Sequence, residues 1–204
     1  MKEKGVFHFW GPLLFRIKVS AKDVDALKHL SSQARLNQLD YRKNLAGVIA
    51  EELEVDQRKY TNIVQPYLDA YLIAHKTWYS TDVKKIKTDT VWVNYMVKGE
   101  HNPPHTHTDC DLSSVLYLEM PPDLKKEHKK FKGNGPGPGA IDFFIGGPQP
   151  FYNNLYSFYP DVGDFFIFPW SLIHYVGSFT CRGTRVSIAA NFNISTKRFS
   201  GEVD

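Results

Sequence analysis

The sequence predicts a mainly β protein, a barrel or sandwich of short strands with N-terminal helices packed on its outside. From about residue 83 onward, apolar residues alternate with polar ones in period two, and turn residues recur about every eight to twelve residues. Aromatic residues make up 14% of the chain and concentrate in this second half, beside Gly and Pro. Short packed strands joined by tight turns have this composition, whereas helical bundles do not.

Length and composition exclude several classes of protein. The 204 residues fit a single domain over 1–204, and 42% apolar with 23% charged residues argues against a disordered or fibrous chain. A net charge of +3 without a broad basic face argues against nucleic acid as a partner. No long apolar run and no export signal is visible, so we expect no membrane span. Two cysteines cannot form a disulfide framework, which predicts a cytoplasmic protein.

Residues 1–82 are expected to form a strand and a helical flank. Residues 6–19 are rich in aromatic and β-branched types, and they predict one or two short strands interrupted at Gly11 and Pro12. The helical flank follows directly after this segment. We expect it to pack on the outside of the strands.

Two helices are predicted within this flank. Ser20 is a suitable N-cap for a helix over 21–35, where apolar residues recur at helical spacing. A second apolar series with i, i+3, i+4 spacing covers residues 60–78 and predicts a long helix that faces the core. Pro66 lies inside this series, so it should either kink the helix or mark a fresh start.

Residues 83–195 form the predicted β core, with an exposed insertion at 121–139. The insertion starts as a short charged helix and continues as a Gly/Pro run that cannot hold regular structure. Outside the insertion, the alternation and the turn residues define nine segments. Strands are predicted near residues 84–88, 90–97, 103–108, 112–119, 140–145, 155–159, 163–168, 172–176 and 183–194.

A cluster of histidines and acids in the β core carries the chemistry. In a strand, alternate side chains share a face, so His105, His107, Asp109 and Asp111 are expected on one side. His174 lies at the start of a later apolar strand. Burying several imidazoles and carboxylates together is costly unless a cation binds between them. These residues therefore predict a metal site.

The spacing of these residues resembles the two signatures of the cupin superfamily. Segment 99–111 resembles the first signature, with Asp111 in place of the usual Glu. Segment 163–174 resembles the second, with Ser171 in place of the usual Gly. The resemblance implies a double-stranded β-helix, the jelly-roll or cupin-like barrel, over about residues 90–194. It also implies that the two segments converge on one metal ion.

A further resemblance is to the oxygenases that depend on iron(II) and 2-oxoglutarate, of the prolyl-hydroxylase-like kind. Arg185 and Ser187 resemble the Arg-x-Ser pair that holds the distal carboxylate of 2-oxoglutarate in many members, and Tyr95 precedes His105 as a Tyr precedes the first metal histidine there. The resemblance implies iron(II) and 2-oxoglutarate as cofactors. Tyr95 and Tyr117 are candidates to hydrogen-bond the cosubstrate from inside the barrel, with packing in the core as the alternative. Asn191 and Asn193 share the inward phase of Arg185 and are further candidate contacts of the cosubstrate or substrate.

The set of metal ligands departs from the family pattern, which is His-x-Asp followed by a distant His. Aligned on His105, the sequence has His107 at the position of the carboxylate. Aligned on His107, it restores the pattern with Asp109 as the carboxylate but loses the register with Tyr95. If His105, His107, Asp111 and His174 all bound, only two of six positions would remain, enough for chelating 2-oxoglutarate but with none for oxygen. The three histidines are the leading candidates for direct ligands. Of the two acids, Asp111 is a better candidate than Asp109.

The leading hypothesis is therefore a hydroxylase that acts on a peptide, an amino acid or a small metabolite and converts 2-oxoglutarate to succinate. A cupin-type dioxygenase or isomerase without 2-oxoglutarate would explain the ligands but not Arg185. A non-enzymatic cupin module could use three histidines and Asp111 as a closed structural zinc site. The sequence leaves the substrate and the oligomeric state open.

Overall fold

The computed structural model describes residues 11–196, except residues 134, 136, 148, 149, 151 and 152. Within this part of the chain the fold is mainly β, with ten strands and three α-helices. The helices are α1 (Ala21–Asn37), α2 (Gln57–Tyr79) and α3 (Leu124–Lys130). The strands are β1 (Phe15–Lys18), β2 (Glu52–Glu54), β3 (Val83–Met96), β4 (Asn102–His105), β5 (Leu112–Glu119), β6 (Ile141–Phe144), β7 (Leu155–Phe158), β8 (Asp164–Pro169), β9 (Ile173–Val176) and β10 (Arg185–Thr196).

The strands form two antiparallel sheets that enclose one apolar layer. The larger sheet has the order β1-β8-β5-β10-β3-β2, and the smaller sheet has the order β4-β9-β6-β7. Phe143 of the small sheet packs against Phe166 and Phe168 of the large sheet between the two. Both faces of the large sheet are therefore covered, which explains why Phe165–Phe168 form a continuous apolar run.

Helices α1 and α2 cover the outer face of the large sheet, as the sequence predicts. The Ser20 hydroxyl caps α1 by accepting the backbone N–H of Asp23 at 3.2 Å. Helix α2 begins three residues earlier than predicted, capped by Asp56, and continues through Pro66 without ending. Pro66 is exposed, so the hydrogen bond that it cannot make lies on the solvent side.

The strand boundaries differ from the prediction at several places. Strand β3 is continuous over 83–96 instead of two segments, and β2 was not predicted, since its three residues are too short to show a period. Strand β4 ends at His105 instead of residue 108, because the chain turns away and Asp109 adopts the left-handed conformation with φ 59°. The predicted N-terminal strands appear as β1 alone, and residues 6–10 lie outside the described residues.

The segment 121–139 begins with α3, the short charged helix that the sequence predicts. Leu124 anchors α3 in the core between the two sheets. Glu127 accepts hydrogen bonds from the backbone of Thr180 and Cys181, which fixes the helix against the turn before β10. In the part of the chain that the structure describes, no helix is both long and apolar enough to cross a bilayer.

Candidate metal centre and adjoining cavities

Three histidines converge between the two sheets. His105 ends β4 and lies directly opposite His174 of β9, with the ring centroids 4.3 Å apart. His107 follows in the loop, where its backbone N–H donates to the carbonyl oxygen of Trp170 at 3.1 Å. One ring nitrogen from each of the three histidines lies within 4.8 Å of the others. This spacing places three nitrogen donors around a single point, as a metal site requires.

The hydrogen bonds of two imidazoles select the tautomer that can bind a metal. His105 Nδ1 lies 2.7 Å from the carbonyl oxygen of Pro103, and His174 Nδ1 lies 3.0 Å from that of Leu172. Because a carbonyl oxygen only accepts, both Nδ1 atoms carry the proton, and both Nε2 lone pairs are free. His107 Nε2 lies 3.3 Å from His174 Nε2.

Burial keeps the three imidazoles neutral. It lowers the pKa of His105, lowers that of His107 to about 4, and lowers that of His174 well below its ordinary value. The proximity of the other imidazoles adds to the shifts at His107 and His174. Within the described part of the chain, no nearby anion stabilises a protonated imidazole here, so the three rings stay neutral. Their nitrogen lone pairs can therefore bind a metal cation.

The structure corrects the expectation for the two acids. Among the described residues, His105, His107 and His174 form a group whose possible ligand atoms lie close enough to hold one metal ion. Neither Asp109 nor Asp111 belongs to this group, which we call the histidine cluster. The Asp111 carboxylate instead accepts the backbone N–H of Ile194 at 2.7 Å and so fastens the end of β10. The strand phase that was expected to align these acids with His105 and His107 stops where β4 ends.

Arg185 lies in a narrow cavity that also holds the three histidines, which we call the inner cavity. It is lined by His105, His107, His174, Arg185, Ser187, Asn94, Met96 and other side chains of both sheets. Arg185 is only 2% exposed, and Tyr117 lies under its guanidinium, with 4.6 Å from Cζ to the ring centroid. This is the inward orientation that the phase of β10 predicts.

No carboxylate among the described residues neutralises Arg185. Its Nη1 donates to the Met96 sulfur at 3.4 Å, which is a weak acceptor, and its Nε has no hydrogen-bond partner. The hydroxyl of Tyr117 is also buried, beside the same guanidinium. A buried guanidinium without an anion is costly, so this end of the inner cavity is built to receive one.

Ser187 and Asn94 extend the polar surface beside Arg185. They are directly opposite each other on β10 and β3, and the Asn94 amide donates to the Ser187 hydroxyl at 3.5 Å. The Asn94 amide oxygen is buried without a partner. The sequence did not predict Asn94 as a site residue, because only its pairing with Ser187 shows that its side chain points inward.

For Tyr95 the structure shows packing in the core, the alternative to a cosubstrate contact. Tyr95 lies opposite Val186, and both side chains belong to the core between the large sheet and the helices. The guanidinium of Arg35 from α1 lies over the Tyr95 ring, with 4.5 Å from Cζ to the centroid. Since neighbours on a strand face opposite sides, the inward position of Asn94 sends Tyr95 outward.

A wider outer cavity of about 370 Å³ adjoins the histidine cluster. It shares Trp92, Asn102, His105 and His107 with the inner cavity and is bordered by the loop after α1. Its remaining lining includes Glu52, Tyr41, Asp89, Thr90, Asp109 and Asn191. Asn191 lines this cavity in the inward phase that the sequence predicts, whereas Asn193 lines neither the inner nor the outer cavity.

Glu52 is the least expected member of the outer cavity. Its side chain is 1% exposed, and neither carboxylate oxygen has a hydrogen-bond partner. Burial, followed by the nearby charge of Glu100, raises the pKa of Glu52 to about 7. The sequence gives no signal for this residue, because a glutamate in a three-residue edge strand normally faces solvent.

Comparison with known proteins identifies relatives of this arrangement. The model of a family described as 2OG-Fe(II) oxygenase matches residues 90–191, half of the chain, and this range contains the three histidines and Arg185. No curated protein sequence is significantly similar to the chain.

Solved structures share the fold at low sequence identity. A prolyl-4-hydroxylase from Pseudomonas putida has a TM-score of 0.60 at 14% identity, covering 88% of this chain and 91% of its own. The viral collagen prolyl hydroxylase of Paramecium bursaria Chlorella virus-1, solved with 2-oxoglutarate, has a TM-score of 0.54 at 15% identity, covering 88% and 94%. A prolyl hydroxylase from Trichoplax adhaerens, in complex with a hypoxia inducible factor peptide, has a TM-score of 0.57 at 12% identity, covering 88% and 83%. The double-stranded β-helix predicted from the sequence is confirmed.

Proposed function

Because the chain belongs to the 2OG-Fe(II) oxygenase family, we propose that it hydroxylates a peptide, an amino acid or a small metabolite while 2-oxoglutarate is decarboxylated to succinate. Enzymes of this family use iron(II) and 2-oxoglutarate. The observation that carries the proposal is the buried guanidinium of Arg185, which lacks an anionic partner and lies in the same cavity as three converging imidazoles.

The donor set fits iron(II). His105, His107 and His174 would hold the ion through ring nitrogens, with His107 in place of the carboxylate that the 2-His-1-carboxylate arrangement uses. Three protein ligands leave three of six positions free, whereas a fourth would leave only the two that a chelating cosubstrate takes. The hydrogen bond between Asp111 and Ile194 favours the three-ligand set.

The residues beside the metal site fit the cosubstrate. Arg185 would receive the distal carboxylate of 2-oxoglutarate, because its planar fork makes two charge-assisted hydrogen bonds. Ser187 would add a third hydrogen bond, and the Tyr117 hydroxyl lies beside the same guanidinium. The inner cavity is lined by Arg185 at one place and by the three histidines at another, so one ligand could contact both.

The remaining residues would protect the reaction. When bound, iron(II) and 2-oxoglutarate supply activation of dioxygen and oxidative decarboxylation of the cosubstrate. Phe143, Phe168 and Val176 line the inner side of the histidine cluster and exclude water from it. Pro103 and Leu172 hold two imidazoles in the orientation that binding needs.

We also propose that the protein works in the cytoplasm, supported by Cys110 and Cys181, which are both free thiols.

The alternative of a closed structural zinc site is less well supported. It requires a fourth protein ligand, and its candidate, Asp111, is hydrogen-bonded to the backbone elsewhere.

Anaerobic titration of the iron(II)-loaded protein with 2-oxoglutarate tests the proposal. A visible metal-to-ligand charge-transfer band should appear and saturate, because the 2-oxo acid group chelates the iron. Glutarate, which lacks the oxo group, should compete with 2-oxoglutarate without producing the band. If the iron-loaded protein gives no band at saturating 2-oxoglutarate, the oxygenase assignment fails.

A further inference from the structure

The outer cavity contains hydrogen-bond acceptors that nothing in the described chain satisfies. Both carboxylate oxygens of Glu52, the amide oxygen of Asn191 and the hydroxyl of Thr90 are buried there without a partner. A carboxylate and an amide oxygen can only accept hydrogen bonds. Since unpaired buried polar groups are costly, a ligand with several hydrogen-bond donors would be stabilised in this cavity.

The charge of the outer cavity has one sign. Three carboxylates line it, those of Glu52, Asp89 and Asp109, and its lining contains neither Lys nor Arg. Glu52 is buried, whereas Asp89 and Asp109 are exposed at the rim. Arg42, the cation that lies near Glu52, is exposed and already paired with Asp40 at 2.6 Å. A cation that enters here therefore meets acids but neither Lys nor Arg, and it would favour the ionised form of Glu52, whose pKa of about 7 leaves it about half protonated at pH 7.

Aromatic faces stand beside the buried acid. The ring of Tyr41 stacks on that of Trp92, with centroids 5.8 Å apart and planes at 23°, and both line the outer cavity. Trp92 also contacts His107, with 6.0 Å between ring centroids. Aromatic faces together with a carboxylate are the combination that recognises ammonium and guanidinium groups, by cation–π attraction and by hydrogen bonds.

Glu52 lies on the same face of the large sheet as the cosubstrate residues. It pairs with Asn94, which pairs with Ser187, so the three side chains form a row that points between the sheets. Among the described residues, one end of the histidine cluster thus adjoins the buried guanidinium of Arg185, which has no anion beside it, and the other adjoins the buried carboxyl of Glu52, which has no hydrogen-bond partner.

We propose that the outer cavity is the substrate site and that the substrate carries a protonated amine or guanidinium, which Glu52 binds. This inference rests on the proposed function, since it takes the histidine cluster as the reaction centre. Glu52 is then the residue that determines specificity. The rings of Tyr41 and Trp92 contact the alkyl part of the substrate and its cationic group. The cavity volume of about 370 Å³ suits an amino-acid side chain rather than a folded partner.

Calorimetric titration with matched cationic and neutral probes tests the proposal without relying on turnover. L-arginine should bind at least about 10-fold more tightly than L-citrulline, because citrulline replaces the guanidinium with a neutral urea, and L-lysine should likewise exceed L-norleucine. The blocked residue Nα-acetyl-L-arginine amide distinguishes the source of the group. If it binds better than free arginine, the substrate is a peptide side chain, and the reverse order indicates a free amino acid.

Variants of β2 locate the effect. Glu52→Gln should abolish the preference for the cationic probe, whereas Glu54→Gln, an exposed position on the same strand, should preserve it. Equal binding of arginine and citrulline to the wild-type protein, or a preference that survives Glu52→Gln, overturns the proposal. The charge-transfer titration with 2-oxoglutarate reports separately on the metal site, so failure of the proposed function and failure of this inference give different results.

Discussion

His105 and His174 face each other across the β4–β9 pair, with ring centroids 4.3 Å apart. Each ring is held by a hydrogen bond from Nδ1 to the carbonyl oxygen two residues before it in the chain. The pairing of two short strands therefore sets both the separation of two ligands and the nitrogen that each presents. His107, in the loop after β4, completes the set from one side.

Replacing His174 should weaken iron binding. His174→Ala removes one of three converging nitrogens, and we expect the affinity for iron(II) to fall by at least about 10-fold to 100-fold. Metal content after dialysis against graded chelator measures this. His29→Ala, an exposed position on α1, is the matched control and should retain iron as the wild type does. Unchanged iron affinity in His174→Ala would remove this residue from the site.

Replacing Arg185 should separate cosubstrate binding from metal binding. In Arg185→Ala, the KM for 2-oxoglutarate should rise by about 100-fold to several thousand-fold, because a buried bidentate ion pair is lost. Iron affinity should remain near that of the wild type, since no metal ligand changes. Arg182→Ala, an exposed arginine in the preceding turn, should leave both quantities unchanged. Normal use of 2-oxoglutarate by Arg185→Ala would contradict the assignment.

Asp111 should contribute to stability and not to metal affinity. Asp111→Ala removes the hydrogen bond from Ile194 N–H, so we expect a loss of about 1 kcal/mol in the free energy of unfolding. Iron affinity should not change, because the Asp111 carboxylate lies outside the histidine cluster. Urea unfolding and a metal titration of the same variant measure the two effects. A large loss of iron affinity with intact stability would return Asp111 to the ligand set.

Glu52 should make the protein less stable as the pH rises. Its pKa is about 7 in the folded protein against an ordinary value of 4.5, so between these values the folded state holds a proton that the unfolded state has lost. Stability therefore falls as the pH rises through this window and levels off above it, by about 3 kcal/mol in total. Glu52→Gln lacks this loss. The free energy of unfolding of the variant minus that of the wild type should therefore increase from about pH 5 to about pH 7.

Urea unfolding at several pH values checks this growing difference. Glu54→Gln is the control, because Glu54 is exposed and its replacement should not change the pH dependence. A difference between Glu52→Gln and the wild type that stays constant with pH would show that the Glu52 carboxyl titrates normally.

The sequence predicted those parts of the site that lie within single strands. Arg185, Ser187 and Asn191 alternate along β10, so one inward residue determines the phase of the others. The two cupin-like segments placed His105, His107 and His174 together, and the structure brings their ring nitrogens within 4.8 Å. Local periodicity was sufficient for Arg185, Ser187 and Asn191 because all three lie on β10, whereas His107 lies in the loop beyond β4.

The sequence alone determined the β architecture, the flanking helices and the residue types of the metal site, because strand alternation, helical spacing and capping are local properties. Only the tertiary structure decided the roles of Asp111, Tyr95, Asn94 and Glu52. Which face of a strand points inward, and where the strand ends, depends on the neighbouring strands that complete its hydrogen bonds. For β3 that neighbour is β10, far along the chain, and its register sends Asn94 into the site and Tyr95 toward the helices.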